Sequence, residues 1–279
     1  MRLSWFENLI FGLVSGLTEF LPVSTGAHQA ILLKLFGVWE LAPVHTLIIH
    51  AGVFCGLILY SLSDLIRIRR EMRLARIPIR KRKRQPDMRI VLDRRILGSG
   101  AFLAAAGGIV SGYFGDKLYS LSTVCIMLAV NGTILFLPSL YSAGNKDSRH
   151  FSPADGWLFG LCAGFGMLPG LSRMALVSSA VSLRGADRQT ACRYGILLGI
   201  PSFAGLLAAD LYRTVILGFG TLSFGMILSL VAAFLTAGAG AYISLSLIKN
   251  IAARRSNSAF SYYCWGAALL ALILHLSVS

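Results

Sequence analysis

Acidic residues are scarce in this chain. Only 12 Asp and Glu stand against 26 Lys and Arg in 279 residues, and charged residues together make up 14%. Soluble domains carry about 25%. With 56% hydrophobic residues and a mean hydropathy of +0.70, this scarcity excludes a soluble globular domain and points to a polytopic membrane protein. Cysteine is also sparse. Cys55, Cys125, Cys162, Cys192 and Cys264 all lie in apolar context and share no metal-ligand spacing. They are read as small buried hydrophobes rather than as a zinc site or a disulfide framework. The N-terminal MRLSWFENLIFG lacks a strong basic region and a small-residue cleavage site, so the first segment is expected to be retained.

The positive charge, formally +14 in net terms, is concentrated. Thirteen of the 26 basic residues fall between Arg67 and Arg95, with an apolar span on each side. Basic juxtamembrane segments mark the cytoplasmic face and suit anionic lipid head groups. The stretch 64–95 is therefore predicted to be a basic cytoplasmic loop with anionic lipids as partners, and no nucleic acid is expected.

A spanning helix needs about 20 apolar residues. Six segments qualify, near 44–62, 97–114, 121–141, 190–209, 224–247 and 259–278. Two others, 8–34 and 156–182, are apolar but broken in the middle by Gly and Pro. Broken backbone at membrane depth must be shielded by protein or line a cavity, so these two are predicted to be re-entrant hairpins. Charge placement agrees. Lys146 and Arg149, Arg184 and Arg188, and Lys249, Arg254 and Arg255 join the basic loop inside only if hairpin 156–182 starts and ends there. Hairpin 8–34 must start and end outside, where Lys117 and Arg213 lie. The expectation is an all-α, single membrane domain, 1–279, built as an inverted-topology repeat. The first repeat, 1–141, and the second, 156–279, each hold one hairpin and three spans. Such repeats place their site near the midplane, at broken helices.

The hairpins share a pattern. FGLVSGLTEFLPVSTGAHQ at 11–29 and FGLCAGFGMLPGLSR at 159–173 each run from Phe-Gly-Leu through Gly to Leu-Pro and then a hydroxyl. Glu19 is a carboxylate at membrane depth, which is costly and marks a functional site; the plainer alternative is a side chain snorkelling to water. His28 lies beyond the same loop, where a packed core histidine is the alternative to a proton carrier. Arg173 follows Leu-Ser, and its guanidinium grips phosphate oxygens in pairs; an interfacial anchor is the alternative. Gly164, Gly166 and Gly170 permit close backbone approach to a ligand, and a helix starting after Leu171 would aim N–H groups at an anion. His45 and His50, five residues apart, do not form a metal pair; His50 is read as core, with a supporting role left open.

GLTEFLPVS at 16–24 with His28, and PGLSR at 169–173, resemble the undecaprenyl pyrophosphate phosphatase family of bacterial membrane enzymes. IIHAG at 48–52, NGTILFL at 131–137 and LRGADRQTACRYGILLGIPSFAG at 183–205 are weaker echoes. The resemblance implies an inverted-repeat fold that removes the terminal phosphate of a polyprenyl pyrophosphate, recycling the lipid carrier of cell-wall synthesis, and with it bacitracin resistance. It implies a multi-pass protein of the bacterial plasma membrane with the site facing outside. Glu19, His28, Thr25, Ser172 and Arg173 would be catalytic. Ser24, Gly170, Ser172 and Arg173 would bind substrate. Glu19 would hold a divalent cation, Mg²⁺ or Ca²⁺. A homodimer is left open. The sequence departs from the family pattern at Ser15, where a second glutamate is usual, at Ala163, where a glutamine is expected, in the run Ser24-Thr25-Gly26-Ala27, where Ser-Ser-Thr-Gly is usual, and at Met174-Ala175, where Ser-Gly is usual. A non-hydrolytic transporter or flippase for a polyprenyl phosphate is the rival reading, and a membrane scaffold the third.

Overall fold

A computed structural model describes residues 3–38, 41–114, 120–142, 144–219, 223–254 and 258–278. Lys117 and Arg255, used above in the charge accounting, lie outside the described residues. The described chain is all-helical: α1 (Trp5–Glu19), α2 (Thr25–Leu35), α3 (Pro43–Arg76), α4 (Met88–Phe114), α5 (Leu121–Phe136), α6 (Pro153–Phe165), α7 (Arg173–Leu183), α8 (Arg188–Leu217), α9 (Phe224–Arg254) and α10 (Ser258–Val278). Five helices are long and apolar enough to cross a membrane: α3, α4, α5 with its short 3₁₀ extension, α8 and α9. The sixth expected span coincides with α10.

Each hairpin pairs an entering helix of 15 or 13 residues with a returning helix of 11. α1 opens on a reciprocal cap in which Ser4 accepts from the Glu7 N–H while Glu7 accepts from the Ser4 N–H; Ser152 and Asp155 do the same for α6. The returning helices, α2 and α7, are capped by Ser24 and Ser172. At about 1.5 Å per residue, the 11 residues of α2 or α7 reach roughly 16 Å, half of a ~30 Å hydrocarbon core. The second hairpin enters and leaves at one end of the bundle. Lys146, before α6, pairs with Ala186, after α7, through Lys146 N–H to Gly185 O at 2.9 Å and Asp187 N–H to Lys146 O at 3.2 Å. The N-terminus of α4 joins the same end. Arg89 pairs with Asp147 at 3.0 Å, and Arg149 pairs with the same carboxylate at 2.9 Å. The Arg149 guanidinium holds the Asp147 carboxyl down at about 2.

Packing interleaves the two halves. α1 lies along α9 as α6 lies along α4, and α3 packs on α9 as α8 packs on α4, while α3 meets α8 and α5 meets α10. Small residues allow the close crossings. Gly16 of α1 faces the backbone of Ala237 in α9, and Gly160 of α6 faces the backbone of Gly100 in α4; a Cβ at either glycine would collide. Without a hydrophobic force between helices in lipid, such backbone contact supplies the attraction. Asn8 reaches across from α1 to the Ser229 hydroxyl of α9 at 2.9 Å.

The stretch 64–95 differs from its expected loop. Helix α3 runs on to Arg76 and α4 begins at Met88. The connection is short and is tied down by Glu71, which pairs with Arg84 at 2.5 Å and accepts from the Asp87 N–H at 3.0 Å. Hydropathy marks where a helix leaves the apolar layer, not where it stops.

Candidate active site

The two hairpin tips meet inside the bundle, and one side chain of α5 fastens them. Asn131, fully buried, donates to the Pro22 carbonyl of the first tip at 3.2 Å and accepts the Ser172 N–H of the second at 2.8 Å. The Ser172 hydroxyl also donates to the Leu21 carbonyl at 3.4 Å. An amide can give and take at once; a carboxylate cannot give. Asn131→Asp therefore leaves the Pro22 carbonyl only the weak Cys264 thiol at 3.8 Å and buries a charge. Each buried group left unsatisfied costs about 1–3 kcal/mol, so the purified variant melts at lower temperature. An unchanged melting curve would show that the clasp contributes nothing.

Beside this junction is a cavity of about 80 Å³. A water needs about 10–15 Å³ of such space, so the cavity suits one phosphoryl-sized group. Its wall brings together Glu19, Thr25, Ser172 and Arg173 from the two hairpins, with His50 of α3, Ser111 of α4, and Asp210 and Arg213 of α8. The first turns of both α2 and α7 border it, and helix N-termini favour anions.

Arg173 is the centre of the arrangement. It is 2% exposed and stacks between Phe20 and Phe203, with its guanidinium carbon 5.1 and 5.8 Å from the ring centroids. Nη1 donates to the Gly195 carbonyl at 2.5 Å. Nη2 stands 3.5 Å from Glu19 Oε1, too long for a good hydrogen bond. Nε and Nη2 have no hydrogen-bond partner among the described residues. A buried charged donor without a hydrogen-bond partner costs more than a neutral one, and an anion in the cavity would supply the missing acceptors.

A second pair shares the wall. His50 Nδ1 lies 2.6 Å from Asp210 Oδ2, with Asp210 3% exposed. Arg213 donates from Nη1 to the Gly112 carbonyl at 2.9 Å. Sequence reading missed Asp210 because the expected span ended at 209. An acid inside an apolar helix was the available signal.

The other expected site residues lie elsewhere. His28 does not line the cavity: Nδ1 is 2.7 Å from the Ser24 carbonyl, and Nε2 is 2.6 Å from the Tyr263 hydroxyl, with the two rings stacked. Ser24 is fully buried and accepts the Ala27 N–H as the cap of α2. Gly170 takes φ +88° in the second tip, packed on Met127 and Val124. A side chain there would be strained, so Gly170 shapes the turn and does not line the cavity. Ser15 accepts from the Gln29 amide at 3.0 Å, one turn below Glu19.

The model of the BacA family, described as bacitracin resistance protein BacA, matches residues 8–270. This chain belongs to the BacA family. Among curated relatives, the undecaprenyl-diphosphatase of Carboxydothermus hydrogenoformans is 27% identical over 270 residues, covering 96% of this chain and 97% of its own. That of Alkaliphilus metalliredigens is 28% identical over 278 residues, covering 97% and 98%. That of Methanobrevibacter smithii is 27% identical over 264 residues, covering 93% of each. The BacA-family match spans both hairpins and every helix that borders the cavity.

Proposed function

We propose that this chain is an integral-membrane hydrolase that cleaves undecaprenyl pyrophosphate, or a close polyprenyl pyrophosphate, to the lipid monophosphate and phosphate. The observation that carries the reading is the buried Arg173 guanidinium, with two nitrogens lacking a hydrogen-bond partner among the described residues, at the meeting of two helix N-termini. The family match and the shared name of the relatives support the substrate class.

Arg173 grips the terminal phosphate with Nε and Nη2, while the first turn of α7 and Arg213 add positive potential. Thr25 sits beside Glu19 on the wall and is the nucleophile. Its Oγ bonds to the terminal phosphorus, the bridging P–O bond breaks, and the lipid monophosphate leaves; water then releases phosphate from Thr25. Ser172 is committed as the cap of α7, accepting the Ala175 N–H at 3.4 Å. The His50–Asp210 pair on the same wall takes the hydroxyl proton, the carboxylate steadying the imidazolium that forms. His28 positions α2 against α10. Charge neutralisation supplies most of the barrier lowering in phosphoryl transfer, which suits a wall rich in cations and dipoles.

A divalent cation fits as a guest shared with substrate. Among the described residues no three His, Cys, Asp or Glu side chains cluster. Mg²⁺ is commonly held by one or two carboxylates together with water and substrate phosphate oxygens, and Glu19 is the carboxylate at hand. Bound there, Mg²⁺ or Ca²⁺ would neutralise phosphate charge.

The fold reads as an inverted repeat whose hairpins re-enter without crossing, with the Lys146–Ala186 end in the cytoplasm by its basic residues and the cavity opening outside a bacterial plasma membrane. Ser111, Asp210 and Arg213, near the opposite helix ends, support that direction. Oriented proteoliposomes supplied with C55 pyrophosphate test activity and sidedness together. Phosphate should appear on the face opposite the basic end. Binding without phosphate release, with or without Mg²⁺, would move a lipid-phosphate transporter into first place.

A further inference from the structure

The cytoplasmic extension of α3 carries Arg69, Arg73 and Arg76 at i, i+4 and i+7, one stripe of a helix. With Arg94 of α4 they rim a groove of about 440 Å³, floored by Leu65, Ile68 and Met72. None of these four arginines makes an ion pair or side-chain hydrogen bond among the described residues. Their neighbours do: Arg67 pairs with Asp87 at 3.2 Å, Arg84 with Glu71 at 2.5 Å, and Arg193 with Asp93 at 2.5 Å. Those three carboxylates are thus spent on other arginines, and four guanidinium groups share one groove whose wall, among the described residues, holds no carboxylate. Like charges so placed repel, and an anion would relieve them. The floor says which anion. Leu62 and Ile66 are exposed on α3 toward the apolar span, and the apolar strip continues through Leu65 into the groove. A phosphate in the arginine rim would leave its acyl chains along that strip. Basic pockets between transmembrane helices on the cytoplasmic side take anionic head groups in this way.

We propose that the α3–α4 groove is a head-group site for an anionic phospholipid, separate from the catalytic cavity. Arg94 lies 17 residues before Ser111 on α4, so about 26 Å of helix divides the two sites. The short, highly charged connection, with exposed Arg80, Lys81 and Lys83, is then not the lipid site, although it holds as much charge.

Full-length protein in detergent is titrated with dioctanoyl phosphatidylglycerol and read by native mass spectrometry. Glycerol 3-phosphate and inorganic phosphate serve as chain-free arms, and zwitterionic dioctanoyl phosphatidylcholine as the arm without net charge. Arg69→Gln/Arg73→Gln/Arg76→Gln should weaken phosphatidylglycerol binding at least tenfold. Arg80→Gln/Lys81→Gln/Lys83→Gln, with the same loss of charge, should bind as the parent does. Equal weakening by both triples would reduce the effect to diffuse attraction and overturn the site. Chain-free phosphate binding as tightly as the lipid would overturn the ligand. Should the groove triple fail to fold, Arg94→Gln alone, on the other helix, must lower affinity at least threefold, and unchanged affinity there overturns the proposal.

Discussion

Arg173→Lys abolishes high-affinity binding of the lipid pyrophosphate although the positive charge is kept. The parent guanidinium spends Nη1 on Gly195 and leaves Nε and Nη2 for two phosphate oxygens. An ammonium is a point charge without that fork, and its three donors leave one atom instead of the separate Nη1, Nε and Nη2 positions that face the Gly195 carbonyl and two phosphate oxygens. Truncating one partner of a buried charge pair costs about 2–5 kcal/mol, which at 1.4 kcal/mol per decade is roughly 30- to 4,000-fold in affinity. Arg173→Ala loses more, because it also empties the slot between Phe20 and Phe203. Calorimetry with the full chain and a short-chain polyprenyl pyrophosphate measures this. Equal affinity in parent and Lys variant would remove Arg173 from the site.

Glu19→Gln stops turnover and leaves binding largely in place. The amide keeps the size of the side chain, so the tips still dock through Asn131. What disappears is the negative charge beside Thr25 and a carboxylate that could hold a cation at the cavity wall. Loss of a group acting on protons or charge at the reacting centre costs on the order of 10²–10⁴-fold in rate. Phosphate release should fall by that factor, with the affinity for the lipid held within a few-fold or improved, since Arg173 loses a competitor 3.5 Å away. Undiminished release by Glu19→Gln would show that the carboxylate has no part in the chemistry.

Much of this was legible in the chain. Gly and Pro in the middle of two apolar segments betrayed the hairpins, since broken backbone in lipid has few other solutions. Glu19 and Arg173 stood out because a charge at membrane depth needs a reason. Two things were hidden. Helix ends in water leave no hydropathy signal, so α3 and α4 proved longer than their apolar cores. Partner choice in three dimensions was the other. His28 and Thr25 lie three residues apart on α2, yet only Thr25 faces the cavity, while Tyr263 of α10 holds the imidazole away. His50 and Asp210 are 160 residues apart, and no local pattern joins them.

The interleaving of the halves sets a schedule for synthesis. α1 finds its main packing partner in α9, which begins at Phe224. At 5–20 residues per second, the first hairpin waits on the order of 10–40 s between its own emergence and that of the helix it packs against. Through that interval its Gly12 and Gly16 face has no counterpart, and for most of it Glu19 has no Arg173. Neither α1 nor α2, at 15 and 11 residues, reaches the ~30 Å hydrocarbon thickness by itself, so the pair needs shielding at the interface or by the insertion machinery until the second half arrives. The last elements made are the ones that seat the first.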